Sequence, residues 1–126
     1  MFANDSFGHW RHGLEEVVAS ARGDRGAAVL ELLAPGPDDR FVLKSRHSAF
    51  HGTALATVLD ELGARRLVLA GIAAEACVLA TAFAAHMRDC PVWVPRDCVG
   101  AIHPARVSAT VSVLSAWGLA TRRAGA

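Results

Sequence analysis

Lysine is almost missing from this chain. Of its 126 residues 13 are basic, yet Lys44 is the single lysine and the other cations are all arginines. Long apolar runs are missing too: no stretch approaches the roughly 18 residues that a membrane helix needs. The opening MFANDSFGHW has neither a basic start nor an apolar core, so it lacks the pattern of a signal peptide. Charge of one sign is not in excess; a net charge of +1 excludes strong attraction to nucleic acid or to an anionic membrane. The arginines are scattered, paired only at Arg65-Arg66 and Arg122-Arg123, with no aromatic-interleaved basic stripe. Cysteine is scarce and odd in number: Cys77, Cys90 and Cys98 have no C-x-x-C spacing, which fits neither a disulfide framework nor a zinc site. Repeats, low-complexity segments and long linkers are absent as well. Together these absences predict a cytoplasmic protein with no nucleic-acid or membrane partner.

What is present predicts one globular domain over 1–126. Hydrophobic residues make up 52% and charged residues 20%, and a chain of this length buries about two thirds of its unfolded surface. The stretch HGLEEVVASARG reads as a helix over 12–22, stopped by Gly23. PGPDD at 35–39 is a turn cluster, and RFVLK at 40–44 a short strand. In 53–63, Leu55, Val58, Leu59 and Leu62 share one face, so this is an amphipathic helix closed by Gly63. RLVLAG at 66–71 is a continuous apolar strand, of the kind covered on both faces in a parallel sheet. It leads into an Ala-rich helix over 72–89 that is apolar almost all round and therefore reads as buried. PVWVPRD at 91–97 is a further strand ended by Pro95, 103–118 a helix with Pro104 in its first turn, and 119–122 a short final strand. This alternation predicts an α/β fold with an open, doubly wound, mostly parallel sheet.

In such sheets chemistry collects where strands end and helices begin. Lys44 lies at the carboxyl end of its strand, and Cys77 in the first turn of the Ala-rich helix. Unpaired backbone N–H groups and the positive end of the helix dipole favour a thiolate there, and so would a nearby ammonium. Two readings are open for Cys77: an activated nucleophile, or a structural cysteine buried in a helix of small residues. A dinucleotide site is disfavoured, because GIAAEA lacks the G-x-G-x-x-G glycines that let the backbone approach a pyrophosphate.

The segment GIAAEACVLATA at 71–82 resembles the signature of the isochorismatase-like cysteine hydrolases, which include nicotinamidase and N-carbamoylsarcosine amidase. FVLKSRHSAFHGTAL at 41–55 is similar to the same family's lysine segment, VPRDCVGA at 94–101 to the strand and loop beyond the nucleophile helix, and NDSFGHWRHGL at 4–14 to a segment after its second strand. The resemblance implies an Asp-Lys-Cys triad, with Cys77 as nucleophile and Lys44 as the cation supporting its thiolate. It implies a cis peptide between Ile72 and Ala73, with the N–H groups of Ala73 and Cys77 forming an oxyanion hole. It further implies cleavage of a small-molecule amide or related C–N bond through a thioester, without a cofactor. The thiol of Cys77 argues against a true isochorismatase.

One member of that triad has no counterpart. The family's aspartate belongs to an Asp-x-Gln-like motif on the first strand, which this sequence does not contain. By the resemblance, the first residues already match the end of the second strand, so the first strand, first helix and most of the second strand are lacking. In the family's strand order, 3-2-1-4-5-6, that gap falls in the middle of the sheet and would leave 40–44 and 66–71 without intervening partners. Two expectations follow: a chain that starts late within a longer hydrolase, or an inactive paralogue that pairs across copies as an oligomerising or binding module. Asp5 is the candidate substitute acid, whereas Asp38 and Asp39 belong to a turn. Asp5, His9 and His12 resemble a nicotinamidase metal segment, but their spacing departs from it, and His9 and His12 read as polar loop residues. His47 and His51 read as hydrogen-bonded loop histidines, with the pocket mouth as the alternative. Trp10, Phe50 and Trp93 read as core or pocket wall, and Cys90 and Cys98 as structural. Glu75, in the first turn of the nucleophile helix, is favoured by the helix dipole and is assigned no catalysis.

Overall fold

A computed structural model describes residues 2–4, 27–34 and 36–125. The helix expected over 12–22, together with Asp5, His9, Trp10 and His12, lies outside the described residues.

Every strand pairing in the described residues is parallel. Strand β1 (Phe2–Asn4) pairs with β2 (Val42–Lys44) in the register Phe2 to Val42 and Asn4 to Lys44. Strand β3 (Leu67–Val68) pairs with β5 (Val92–Trp93), and β4 (Gly71–Ile72) with β6 (Val99–Gly100). A single bridge joins Trp93 to Ala120, so the expected final strand is reduced to one pairing, with Val94 N–H donating to Ala120 O at 2.8 Å. The apolar run expected as one strand over 66–71 therefore serves two partners. Leu69 N–H donates to Trp93 O, while Gly71 N–H donates to Cys98 O, both at 2.9 Å. Gly71 takes φ +111° at this change of partner, a conformation that a side chain would resist.

Helices connect the strands. Helix α1 (Ala27–Leu32), whose Ala and Leu content favours helix, was not expected from the pattern, and its Leu32 is exposed. Helix α2 (Leu55–Glu61) buries Leu55 and ends at Gly63, where φ is +61° and Ala64 N–H closes back on Leu59 O at 2.9 Å. Helix α3 starts as a π-helical turn (Ala74–Val78) and continues as α-helix (Leu79–His86). Helix α4 (Pro104–Ala116) begins with Pro104, whose missing N–H costs nothing in a first turn.

The core sits where α3 and α4 meet the β3–β5 side. Ala82, Ala85, Val94 and Leu114 are fully buried, and the small α3 residues let that helix lie close to its neighbours. Two expectations are corrected here. The strand run at 66–71 is not covered on both faces, since Val68 is 57% exposed. Its edge is open as well: among the described residues β1–β2 forms no ladder with β3–β5, so β3 has β5 on one edge only. Nor is the Ala-rich helix buried throughout: it ends at His86, and Met87 beyond it is exposed. The 40–44 segment pairs with β1, and among the described residues no strand intervenes between it and the 66–71 run.

Candidate active site

Alternation along β2 turns Val42 and Lys44 inward and Leu43 outward. Lys44 is thereby 5% exposed at the carboxyl end of its strand. A buried ammonium without partners costs several kcal/mol, and this one has two acceptors. Its Nζ donates to Arg46 O at 3.1 Å and to Cys77 Sγ at 3.2 Å. Cys77 occupies the first turn of α3 and is half-buried. The two residues are 33 positions apart in sequence, and only the packing of the β2 end onto α3 brings them together.

That packing has an identifiable latch. Thr81 lies one helical turn beyond Cys77 on the same face, and its buried Oγ1 accepts the Ala49 N–H at 3.0 Å. The loop after β2 is thus pinned to α3. Ser48 Oγ accepts the Phe50 N–H, and Thr53 donates to Ala49 O while accepting the Leu55 N–H that opens α2. Phe50 is a core residue rather than a pocket wall, and the Arg88 guanidinium stands 4.7 Å from its ring centroid. Trp93 has the Arg122 guanidinium 4.9 Å from its ring centroid, and its Nε1–H donates to Arg122 O at 3.0 Å.

On the outer side of the thiol stands a residue that sequence reasoning left as a loop histidine. His47 Nδ1 lies 3.7 Å from Cys77 Sγ. The only sequence signal for this was its place three residues beyond Lys44. His51 is exposed on the turn after Ser48 and shares no hydrogen bond with Cys77. The peptide between Ile72 and Ala73, immediately before α3, is cis. Glu75 faces α4, where Arg106 Nη1 donates to its Oε1 at 2.8 Å. That hydrogen bond, with a smaller contribution from its own backbone amide, holds the Glu75 carboxyl below its usual value of 4.5. Cys90 and Cys98 are free thiols, the first packed on the core and the second exposed. Among the described residues no group of three His, Cys, Asp or Glu could hold a metal ion, and no helix is long and apolar enough to cross a membrane. A separate groove of about 380 Å³, lined by Arg96, Asp97, Ser108 and Arg123, includes neither Lys44 nor Cys77.

Comparison with known proteins identifies relatives of this chain. An uncharacterized isochorismatase family protein, YaaI of Bacillus subtilis, is 36% identical over 99 residues, covering 79% of this chain and 55% of that protein. The maleamate amidohydrolase of Pseudomonas putida is 32% identical over 96 residues, covering 76% of this chain and 45% of that protein. Among solved structures, the nicotinamidase PncA of Bacillus subtilis superposes with a TM-score of 0.67 at 26% identity, over 79% of this chain and 55% of its own. The chain thus spans about half the length of these relatives. The isochorismatase domain pattern matches residues 4–123, a span that contains Lys44, Cys77 and every strand pairing except part of β1, and the chain belongs to the isochorismatase family.

Proposed function

We propose that this chain carries the nucleophile and cation of a cysteine hydrolase that cleaves a small-molecule amide or related C–N bond. The observation that supports the reading is the 3.2 Å hydrogen bond from the buried Lys44 ammonium to Cys77 Sγ. An ammonium in contact with sulfur favours the anionic nucleophile over the thiol. Cys77 Sγ attacks the amide carbonyl carbon, and the N–H groups of Ala73 and Cys77 stabilise the oxyanion that forms. The C–N bond breaks, the amine leaves, and water hydrolyses the thioester. Asp5 is the sequence's candidate for an acid beside the thiol; it follows Asn4, whose register partner is Lys44. Kinship with a maleamate amidohydrolase makes short-chain amides the first substrates to try.

The test is release of ammonia from maleamate and a panel of small primary amides. Turnover that Cys77→Ala abolishes supports the reading; turnover unaffected by that substitution contradicts it.

Three free thiols fit a cytoplasmic location, where disulfides are rare. The open edge of β3, with Val68 and Ile72 exposed beside it, fits assembly into a homo-oligomer. Sedimentation should accordingly give a mass above 13.3 kDa, and a sharp monomer boundary at all concentrations would contradict assembly.

A further inference from the structure

We propose that His47 is the proton carrier for Cys77, a role that rests on the hydrolase reading above. Cys77 Sγ has two hydrogen-bond partners among the described residues, Lys44 Nζ at 3.2 Å and His47 Nδ1 at 3.7 Å. They differ in what they can do. An ammonium has three donors and no acceptor, so Lys44 stabilises a thiolate but cannot take the thiol proton. A neutral imidazole can take it, and His is the side chain whose charge ordinarily changes near neutral pH. A separation of 3.7 Å is long for the transfer itself, but catalytic hydrogen bonds in ligand-free enzymes are commonly long and tighten when substrate closes the site.

The surroundings suit the task. His47 is exposed and can exchange its proton with water, whereas Lys44 is buried. The loop carrying His47 is fixed on both sides, by β2 before it and by the Ala49–Thr81 latch after it. Beside the ring stands Cys77 from α3, at 3.7 Å, with Lys44 from β2 on that same sulfur and Arg46 next to His47 in the chain.

The steps balance without a further reactant. The Sγ proton passes to Nδ1, and the sulfur electron pair forms the S–C bond while the carbonyl electrons move to oxygen. The carbonyl re-forms, the C–N bond breaks, and the leaving nitrogen takes the proton from Nδ1. In the second half His47 accepts a proton from the attacking water and returns it to Sγ as the C–S bond breaks. The sum is amide plus water to acid plus amine.

The experiment follows Cys77 alkylation by iodoacetamide, read by peptide mass analysis, from about pH 5 to about pH 9, spanning the range in which His ordinarily titrates. Wild type is compared with His47→Asn, Lys44→Ala and Asp5→Asn, each checked for fold by circular dichroism. Asn keeps a polar atom near the place of Nδ1 but does not titrate in this range. The expected result is a wild-type profile with a step near neutral pH that His47→Asn removes, lowering the rate at about pH 6 by threefold or more, while Asp5→Asn leaves the step. A His47→Asn profile that superimposes on wild type, or a step removed by Asp5→Asn instead, overturns the proposal. If Lys44→Ala slows alkylation while His47→Asn does not, the hydrolase reading stands and the role of His47 falls. If wild-type Cys77 reacts like an ordinary thiol whatever stands at position 44, both fall.

Discussion

Lys44 shows why one residue type cannot stand in for another. Its ammonium is a compact point charge on a flexible stem, small enough to sit at 5% exposure while touching both a backbone carbonyl and a sulfur. A guanidinium is planar and wider, and its forked donors suit a carboxylate rather than a single sulfur atom. Lys44→Arg should therefore slow Cys77 alkylation at neutral pH by about tenfold or more, even though the charge is retained. It should also lower stability by about 1–3 kcal/mol through overpacking. Thiol-labelling rates and a denaturant melt check the two effects. A rate equal to wild type would mean that charge alone is sufficient. The meeting of Lys44 with Cys77 was legible through the resemblance of their two segments; strand-end and helix-start positions alone left Cys77 open between a nucleophile and a structural cysteine. The approach of His47, for which the pocket mouth was only the alternative reading, depends on the path of the loop between β2 and α2 and on a side-chain torsion that leave no periodic trace.

Among the elements, α3 is held from two sides. Thr81 ties it to the loop after β2, and Glu75 ties its first turn to α4 through Arg106. The Arg106 hydrogen bond holds the Glu75 carboxyl below 4.5, and the Ala124 amide that donates to Asp97 holds that carboxyl below 3.8. Both groups have folded values lower than unfolded ones. As pH falls, the unfolded chain takes up these protons first, so the stabilisation is complete above the unfolded values and is lost as pH drops through the folded ones. Thermal melts should show Tm falling below about pH 4.5, and Glu75→Gln should flatten part of that fall. A Glu75→Gln melt series with the wild-type slope would contradict the role of the Arg106 contact. Element types were readable where a pattern exists: α2, α3 and α4 follow their apolar spacing, Gly63 and Pro104. Helix α1 was not read, with one of its leucines, Leu32, exposed, and β6 was not, because no apolar run like those at 66–71 and 91–97 surrounds its two residues.

For the whole molecule, parallel pairing was readable from the alternation of strands and helices. The exposure of the 66–71 run was not read from its own pattern. Apolar residues on a strand say that the strand is to be covered; they do not say what covers it. Val68 remains exposed, and among the described residues β3 pairs with β5 alone. The strand end, the latched loop and the first turn of α3 nonetheless converge on one sulfur. The three free cysteines offer an internal comparison, since Cys98 is exposed while Cys77 is half-buried. Access alone would make Cys98 react first, and an ammonium-supported thiolate would make Cys77 react first. The most direct measurement is competitive alkylation of the native chain at neutral pH with substoichiometric iodoacetamide, followed by peptide mapping. Label should accumulate on Cys77 ahead of Cys98 and Cys90, and that preference should vanish in Lys44→Ala. Label distributed by exposure, with Cys98 first in both proteins, would contradict the account.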